Sequence, residues 1–333
     1  MQNVTDTGHK NDLTTVVMEC ATYCRSHNIS NPVDILRIYQ ERTVIGRPLE
    51  INEDNLNTGI EGETNFIMVD RSNLIQTAFD EISTLTVNNL RKCLEVQFYG
   101  ETAVDYGGPR KEFFSLILQQ LQKEYFDPLR EWSNDYEVVG KIMALSTVQN
   151  GRLPRLMSEE VLQEVFVSES PRPFALDLRK GLNSLGIVQL TLELPTFMHL
   201  FTPVPPMSLT LKMTTSLLVP FFSSEGSNRR QKETSMYSTF IKYMREAASG
   251  RRREVSLGSI LKFATGTEEE PVLGFCIKPS IHFVEADTFL PTANTCVNRL
   301  NLTIPHGSLA VTSQDELFEM FDLAFCNTYF GLQ

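Results

Sequence analysis

The residue of this chain that is best placed to do chemistry is Cys296, in the middle of the segment 290–301, LPTANTCVNRLN. A proline and the short polar residues at 292–295 precede it. They favour a loop, because proline fixes the backbone and small polar side chains bond to it locally. Apolar and polar residues then alternate over 297–304, which predicts a strand. Cys296 is therefore predicted where a loop enters a strand. Local chemistry leaves two interpretations open, a nucleophilic thiol on a loop and a buried structural cysteine.

Length and composition predict a globular chain with two domains or lobes. The 333 residues are 41% hydrophobic and 21% charged, enough to bury a sizeable core. The formal net charge is −11, from 30 basic and 41 acidic residues. This argues against a nucleic-acid binder, because such a domain is usually basic. The acidic balance would attract a basic partner surface, with ordinary solubility as the simpler explanation.

Cysteine usage and apolar runs bear on the cellular setting. The six cysteines are too sparse for a disulfide framework. The polar N-terminus lacks the apolar centre of a signal peptide, and no apolar run reaches membrane-spanning length. We therefore expect no membrane span and a cytoplasmic location, with the nucleus as a second compartment.

Two cysteines near the N-terminus could supply half of a metal site. Cys20 and Cys24 share one face of a predicted helix, and His27 is nearby. Three such ligands do not complete a structural zinc site, so core packing is the preferred interpretation. A second helix is predicted from Pro32, which suits a first turn, with a preceding polar residue as its cap.

Periodicity places the other main elements. Residues 46–63 are polar and rich in turn formers, which indicates a linker. Strands are predicted at 66–69, 94–98 and 281–285, and helices at 71–85, 136–148 and 257–264. A last helix is predicted after Ser313, with Glu316 completing a capping box. Its inward-facing residues are Leu317, Phe318, Phe321, Ala324 and Phe325.

Two separated motifs carry a family resemblance. The last third of the chain contains GSILKFATGT at 258–267, Pro271, Gly274-Phe275, LPTANTC at 290–296, Asn298, Leu300, Leu302 and Phe330. Upstream, VQFYGETAVDYGGPRKEFF at 96–114 reads as a strand, a Gly-Gly turn and a helix start. These motifs resemble the C-lobe and the N-lobe signature of HECT-type ubiquitin-protein ligases. Two motifs in the right order are more specific than a lone Thr-Cys, and the resemblance covers roughly 64–333, with a weaker middle.

The resemblance implies an α+β fold of two lobes, a larger and mostly helical N-lobe and a smaller α/β C-lobe joined by a flexible hinge. In that scheme residues 1–62 are a helical and linker extension, disordered in part. Residues 63–222 are the N-lobe, 223–233 the hinge and 234–333 the C-lobe. The N-lobe is shorter than is usual in the family, and its binding region for the ubiquitin-conjugating enzyme is placed at 153–222.

The resemblance also implies the chemistry, in which Cys296 accepts ubiquitin from a conjugating enzyme as a thioester and passes it to a substrate lysine. The thiolate is the nucleophile in such an exchange, and no metal or organic cofactor is needed. Supporting roles fall to Thr295, Asn294, Asn298 and Phe330. Many relatives carry a histidine where this chain has Asn294, and asparagine cannot act as a titratable base. The implied partners are ubiquitin, a conjugating enzyme and a protein substrate.

Two other functions are compatible with the sequence. A HECT-like module with an abbreviated N-lobe could bind ubiquitin or act as a scaffold while being catalytically impaired. A cysteine hydrolase would need a histidine within reach of Cys296, and His282 and His306 flank the loop in sequence. A surface role is the preferred interpretation of both histidines.

Overall fold

The structure, a computed structural model, describes residues 12–55, 58, 60–101, 105–127, 130, 133, 135–204, 208–252, 254–307 and 313–326. Phe330 lies outside these residues, so its supporting role stays a prediction. Within the described residues, no helix combines the length and the apolar character that crossing a bilayer requires.

The described residues form helices and short strands in the following order. The helices are α1 (Leu13–Ser26), α2 (Pro32–Thr43), α3 (Leu74–Ser83), α4 (Val87–Arg91), α5 (Gly108–Tyr125), α6 (Tyr136–Val148), α7 (Glu159–Phe166), α8 (Pro173–Asn183), α9 (Ile187–Glu193), α10 (Leu211–Leu217), α11 (Asn228–Ala248), α12 (Leu257–Thr265) and α13 (Gln314–Cys326). The strands are β1 (Thr64–Val69), β2 (Cys93–Phe98), β3 (Val219–Pro220), β4 (Ser280–Val284), β5 (Thr292–Asn294) and β6 (Arg299–Thr303). Single 3-10 turns or short 3-10 helices occupy Glu53–Asn55, Arg71–Asn73 and Pro195–Leu200.

The first two helices belong to a large hydrophobic core, here called the first core, whose buried members run from Val16 to Phe201. Asn31 caps α2, since its side chain accepts a hydrogen bond from the Val33 N–H. Cys20 and Cys24 are completely buried in this core, which confirms their interpretation as packing residues. Among the described residues, no group of three His, Cys, Asp or Glu side chains is arranged to hold a metal ion.

A two-stranded parallel sheet and its surrounding helices complete the first core. β1 and β2 pair in register along their whole length, and α6 has the bounds predicted at 136–148. α6 packs closely on α8. A Cβ on Gly140 would come within 2.8 Å of Gly181 Cα, so both glycines are needed for the two helices to approach this closely.

Residues 46–63 differ from the polar linker that the sequence indicates, because their described part is fastened to the first core. Arg47 is buried and donates a hydrogen bond to Asp105 O at 2.7 Å. Glu50 is also buried, and its Oε2 lies 2.8 Å from Lys111 Nζ. The polar side chains of this segment therefore include partners for buried charges, a role that composition does not reveal.

A second hydrophobic core, here called the second core, lies in the C-terminal region. Its four-stranded sheet has the order β3-β4-β6-β5, in which only β5 runs antiparallel to its neighbour. α12 packs on this sheet, and α11 joins α13 through the rings of Phe240, Tyr243, Phe318, Phe321 and Phe325. The residues predicted to face inward on the last helix are all buried. The Glu316 N–H donates to Ser313 Oγ at 3.1 Å, which is one half of the predicted capping box.

The division between the two cores lies upstream of the predicted one. The last buried member of the first core is Phe201, whereas the apolar side chains of 209–222 that are buried pack against the second core. Within the predicted hinge, 223–233, helix α11 has already begun. The buried Glu233 carboxylate there accepts hydrogen bonds from Ser223 N and Oγ, both at 2.7 Å. The hinge itself stays a prediction.

Candidate active site

Cys296 lies in the turn of a β-hairpin rather than at the end of the predicted loop. The segment Thr292–Asn294 forms β5, which pairs antiparallel with β6. We call residues 292–303 the cysteine hairpin. In its turn Asn298 has a φ of 52°, a left-handed conformation that asparagine tolerates better than most residues. The polar run forms a strand because its backbone pairs with β6, which a local pattern cannot reveal.

The predicted supporting residues shape this turn. Asn294 Oδ1 accepts a hydrogen bond from the Cys296 N–H at 3.1 Å, so this side chain holds the turn. Asn298 is buried, and its Nδ2 donates to Ile277 O at 2.7 Å, which ties the hairpin to the segment that leads into β4. Thr295 is also buried, although it stands at the tip of the hairpin. Another part of the chain therefore covers that tip.

The turn that opens α5, residues 105–108, provides the cover. The buried Asp105 carboxylate fixes this α5 turn, since it accepts hydrogen bonds from the Val96 N–H at 2.9 Å and the Gly107 N–H at 2.7 Å. A Cβ on Gly108 would lie 2.9 Å from Thr295 Cβ. The missing side chain of Gly108 thus leaves the space that the hairpin tip occupies.

The side chain of Cys296 lies against the α5 turn. Hydrogen bonding by the backbone of Tyr106 and Gly108 lowers the pKa of its thiol. They lie at the N-terminal end of an 18-residue helix, where the helix dipole favours negative charge. The arrangement is therefore suited to stabilising a thiolate, the form in which a cysteine attacks.

Burial works against that stabilisation. Burial raises the pKa of Cys296, and the nearby Asp105 raises it further, while Lys111 and the two backbone N–H groups lower it. Lys111 is itself buried against Glu50, and its Nζ lies 5.4 Å from the centre of the Phe275 ring. With the hairpin closed on the α5 turn, the neutral thiol is the favoured form near neutral pH.

The two histidines that flank the hairpin in sequence are engaged elsewhere. His282 stacks on Phe221 with ring centroids 5.0 Å apart, and burial lowers its pKa. His306 Nδ1 lies 3.2 Å from Ile304 O. These contacts give neither imidazole the partnership with Cys296 that a cysteine hydrolase requires.

Sequence reasoning found the residues of the hairpin but missed the residues that face it. Tyr106, Gly108 and Lys111 lie far upstream, inside the motif at 96–114. That motif predicts only a strand, a Gly-Gly turn and a helix start, because its glycines and charges suggest no chemistry by themselves. The available signal was its resemblance to the same family as the cysteine motif, since two motifs of one catalytic domain can meet in one site.

Comparison with known proteins bears on the region that carries the hairpin. The family model described as HECT-domain (ubiquitin-transferase) matches residues 222–332. That range contains Cys296 and the whole cysteine hairpin. The C-terminal region of this chain is thus similar to the HECT domain family. The HECT region, residues 222–332, thus includes α11, α12 and α13 and most of the sheet of the second core.

Curated relatives share a short segment with this chain. The E3 ubiquitin-protein ligase RSP5 of Chaetomium thermophilum is 44% identical over 60 residues, which is 18% of this chain and 7% of that protein. RSP5 of Saccharomyces cerevisiae is 42% identical over 60 residues, again 18% of this chain and 7% of the relative. The probable E3 ubiquitin-protein ligase HERC3 of Homo sapiens is 49% identical over 53 residues, 16% of this chain and 5% of its own length. The matched segment therefore spans less than a tenth of each relative.

Proposed function

We propose that this chain is a HECT-type ubiquitin ligase in which Cys296 carries ubiquitin as a thioester. The observation that carries the proposal is the position of Cys296 at a hairpin tip inside the matched HECT region. Relatives that are named E3 ubiquitin-protein ligases support the same activity. The mixed helical and sheet architecture is compatible with the α+β fold of such a domain. A two-lobed arrangement with a hinge is part of the proposal.

In the first step the Cys296 thiolate attacks the carbonyl carbon of the thioester that joins ubiquitin to a conjugating enzyme. An S–C bond forms at Cys296, the original S–C bond breaks, and the cysteine of the conjugating enzyme leaves as a thiolate. In the second step a deprotonated substrate lysine attacks the same carbonyl. An amide bond forms, Cys296 leaves as a thiolate, and the proton of the amine passes to solvent or to a nearby base.

The residues around Cys296 have separate roles in this scheme. Asn294 holds the turn through its hydrogen bond to the Cys296 N–H. The N–H groups of Tyr106 and Gly108 stabilise the sulfur when it carries charge, and Lys111 adds a positive potential. No group in this set is a titratable base of histidine type, so the thiolate fraction depends on pH and on burial.

The conjugating enzyme is assigned to the surface of the region 153–222, upstream of the HECT region. Exposed apolar side chains are present there, since Val167, Leu192 and Val204 are each more than half exposed. Apolar groups of this kind are what a partner helix or loop would cover. This assignment, like the protein substrate and the cytoplasmic or nuclear location, is part of the proposal.

A charging assay tests the proposed function. The full chain is mixed with activating enzyme, a panel of conjugating enzymes and ubiquitin, then resolved on gels with and without reductant. The wild-type chain should form an adduct that reductant removes. Cys296→Ala should form none, and Cys296→Ser should form an oxyester that resists reductant. Cys276→Ala, which removes an exposed cysteine of the same region, is the matched control and should still be charged.

The other outcomes each point to a different function. Absence of an adduct with every conjugating enzyme, together with retained ubiquitin binding, would overturn the ligase proposal in favour of an uncharged binding module. Hydrolysis of a ubiquitin C-terminal ester without any conjugating enzyme would indicate a cysteine hydrolase instead. An adduct that persists in Cys296→Ala would move the reactive site to another cysteine.

A further inference from the structure

The segment 271–275, here called the anchor loop, leaves the second core and packs on the first. Val272 and Leu273 are partly buried against the first core, although their neighbours in sequence belong to the C-terminal region. The Phe275 ring lies beside Lys111 in α5. The anchor loop is therefore an apolar plug that joins the region carrying Cys296 to the region carrying the α5 turn.

One side chain of the first region, the part of the chain that forms the first core, holds the anchor loop through hydrogen bonds to the backbone of the loop. Asn150 Oδ1 accepts a hydrogen bond from the Leu273 N–H at 3.2 Å, and its Nδ2 donates to Gly274 O at 3.1 Å. Asn150 is 5% exposed and has a φ of 53°. A left-handed backbone is uncommon outside glycine and asparagine, and here it aims the amide at two adjacent peptide groups.

Two pairs of polar side chains that also join the regions are weak. Gln119 Nε2 lies 3.3 Å from Glu268 Oε2, and Arg152 Nε lies 3.4 Å from Glu269 Oε1. The Arg152 and Glu269 side chains are 33% and 54% exposed, and ion pairs that water can reach contribute little. Besides the packing of the hairpin tip on the α5 turn, the Asn150 amide and a small apolar plug thus join the two regions, and so small a set of contacts suits an interface that opens and closes.

We propose that Asn150 and the anchor loop form a latch that holds Cys296 closed on the α5 turn, and that this latch must open before the thiol can react with an acyl donor. In the closed state Thr295 is buried against Gly108, and Cys296 beside it is half-buried. A donor as large as a protein thioester cannot approach a sulfur that faces another part of the same chain. Asn150 is accordingly a positioning residue that acts on Cys296 through the anchor loop.

The test measures alkylation of Cys296 by iodoacetamide, which needs no ubiquitin and is therefore independent of the proposed function. The full native chain is used, and site-resolved mass spectrometry follows Cys296, with the exposed Cys326 as an internal reference. Asn150→Gly removes both hydrogen bonds and still tolerates the left-handed backbone. Loss of two neutral hydrogen bonds should raise the alkylation rate of Cys296 about tenfold, with that of Cys326 unchanged.

Two further variants separate the latch from a general loss of stability. Asn28 is exposed in the connection between α1 and α2 and has a φ of 55°, so Asn28→Gly is the matched control and should leave the Cys296 rate unchanged. Asn150→Asp keeps the acceptor for the Leu273 N–H but cannot donate to Gly274 O. It should give an intermediate rate, a partial rescue that a purely structural defect would not show.

Leu273→Ala weakens the same latch from the C-terminal region and should also raise the alkylation rate of Cys296. Equal alkylation rates in the wild-type chain, Asn150→Gly and Leu273→Ala would overturn the proposal, because Cys296 would then react without opening the latch. A rate increase that appears equally at the buried Cys20 and Cys24 would also overturn it, since that would be global unfolding. If the latch variants raise the alkylation rate of Cys296 but neither they nor the wild-type chain is charged with ubiquitin, the latch proposal is supported and the proposed function fails.

Discussion

The two cores of this protein differ in the charges that they bury. Among the described residues, the first region encloses the charged side chains of Arg47, Glu50, Arg91, Asp105, Arg110, Lys111 and Glu112, beside neutral groups such as Thr147, Gln149 and Asn150. The second region, the part of the chain that forms the second core, encloses mostly neutral groups, those of Thr214, Thr265, Thr267, Ser280, Thr295, Asn298 and Thr303, with Glu233 as a buried carboxylate. The candidate cysteine and most of the buried charges therefore come from different parts of the chain.

Buried charges require fixed partners, and this makes the first region a scaffold for the α5 turn. Arg110 donates to Leu49 O at 2.6 Å and to Cys93 Sγ at 3.0 Å. Glu112 Oε2 lies 2.8 Å from Arg71 Nη2. An unpaired charge in such a place costs several kcal/mol, so these groups hold one geometry. The second region has fewer such constraints, and its stability depends on the packing of aromatic rings.

The largest expected loss of stability comes from a change in the packing of the second core. Phe321 is 1% exposed and meets the rings of Phe240 and Tyr243 edge to face. Phe321→Ala should lower the free energy of unfolding by about 4 kcal/mol, because it leaves a cavity among rings that cannot close over it. Urea denaturation measures the change. Leu323→Ala on the same helix, where the side chain is 57% exposed, is the control and should change stability by less than about 0.5 kcal/mol.

The next largest loss of stability is expected where charges are buried in the first region. Lys111→Met leaves the Glu50 carboxylate, 4% exposed as a side chain, without its cation and should cost about 3 kcal/mol of unfolding free energy. The double variant Lys111→Met, Glu50→Leu should recover most of that loss, since an apolar pair of similar volume needs no counter-charge. If the single variant unfolds at the wild-type urea concentration, the contrast between the two regions does not hold.

A smaller effect is expected where the two regions touch. Gly108→Ala would place a Cβ against Thr295 and should cost about 1–2 kcal/mol if the hairpin stays closed, or displace it otherwise. Displacement should raise the alkylation rate of Cys296. Gly258→Ala is the control, because its new Cβ would meet no atom closer than 3.4 Å. An unchanged Cys296 rate combined with unchanged stability in Gly108→Ala would contradict the packing of the hairpin tip on α5.

The smallest expected effect is a shift in the pH dependence of Cys296 alkylation. Because burial raises the pKa of Cys296 in the closed state, closure is fully favoured below the pKa of an exposed thiol. It loses stability as the pH rises from that value toward the raised pKa. The pH midpoint of Cys296 alkylation in the native chain should therefore lie above that of the same cysteine in urea. The midpoint of Asn150→Gly should fall between the two. A native midpoint at or below the value in urea would contradict a pKa raised by closure.

Local pattern predicted much of the secondary structure, and the failures have a common cause. Helix α6 has its predicted bounds because its apolar spacing is a property of the helix itself. The run 292–294 was predicted as a loop and is a strand, because its pairing partner β6 supplies the hydrogen bonds. Residues 46–63 were predicted as a polar linker, yet Glu50 is buried against a lysine from α5.

The sequence by itself determined most of the helices, the candidate cysteine and the resemblance of the C-terminal region to a family, because these depend on spacing and on short motifs that a single stretch contains. Only the tertiary structure decided what surrounds the Cys296 sulfur. Its neighbours Tyr106 and Gly108 lie in another motif, and no spacing along the chain sets their distance. Val272, Leu273 and the Asn150 amide join the two regions that meet there, since packing between regions brings together residues that the sequence keeps apart.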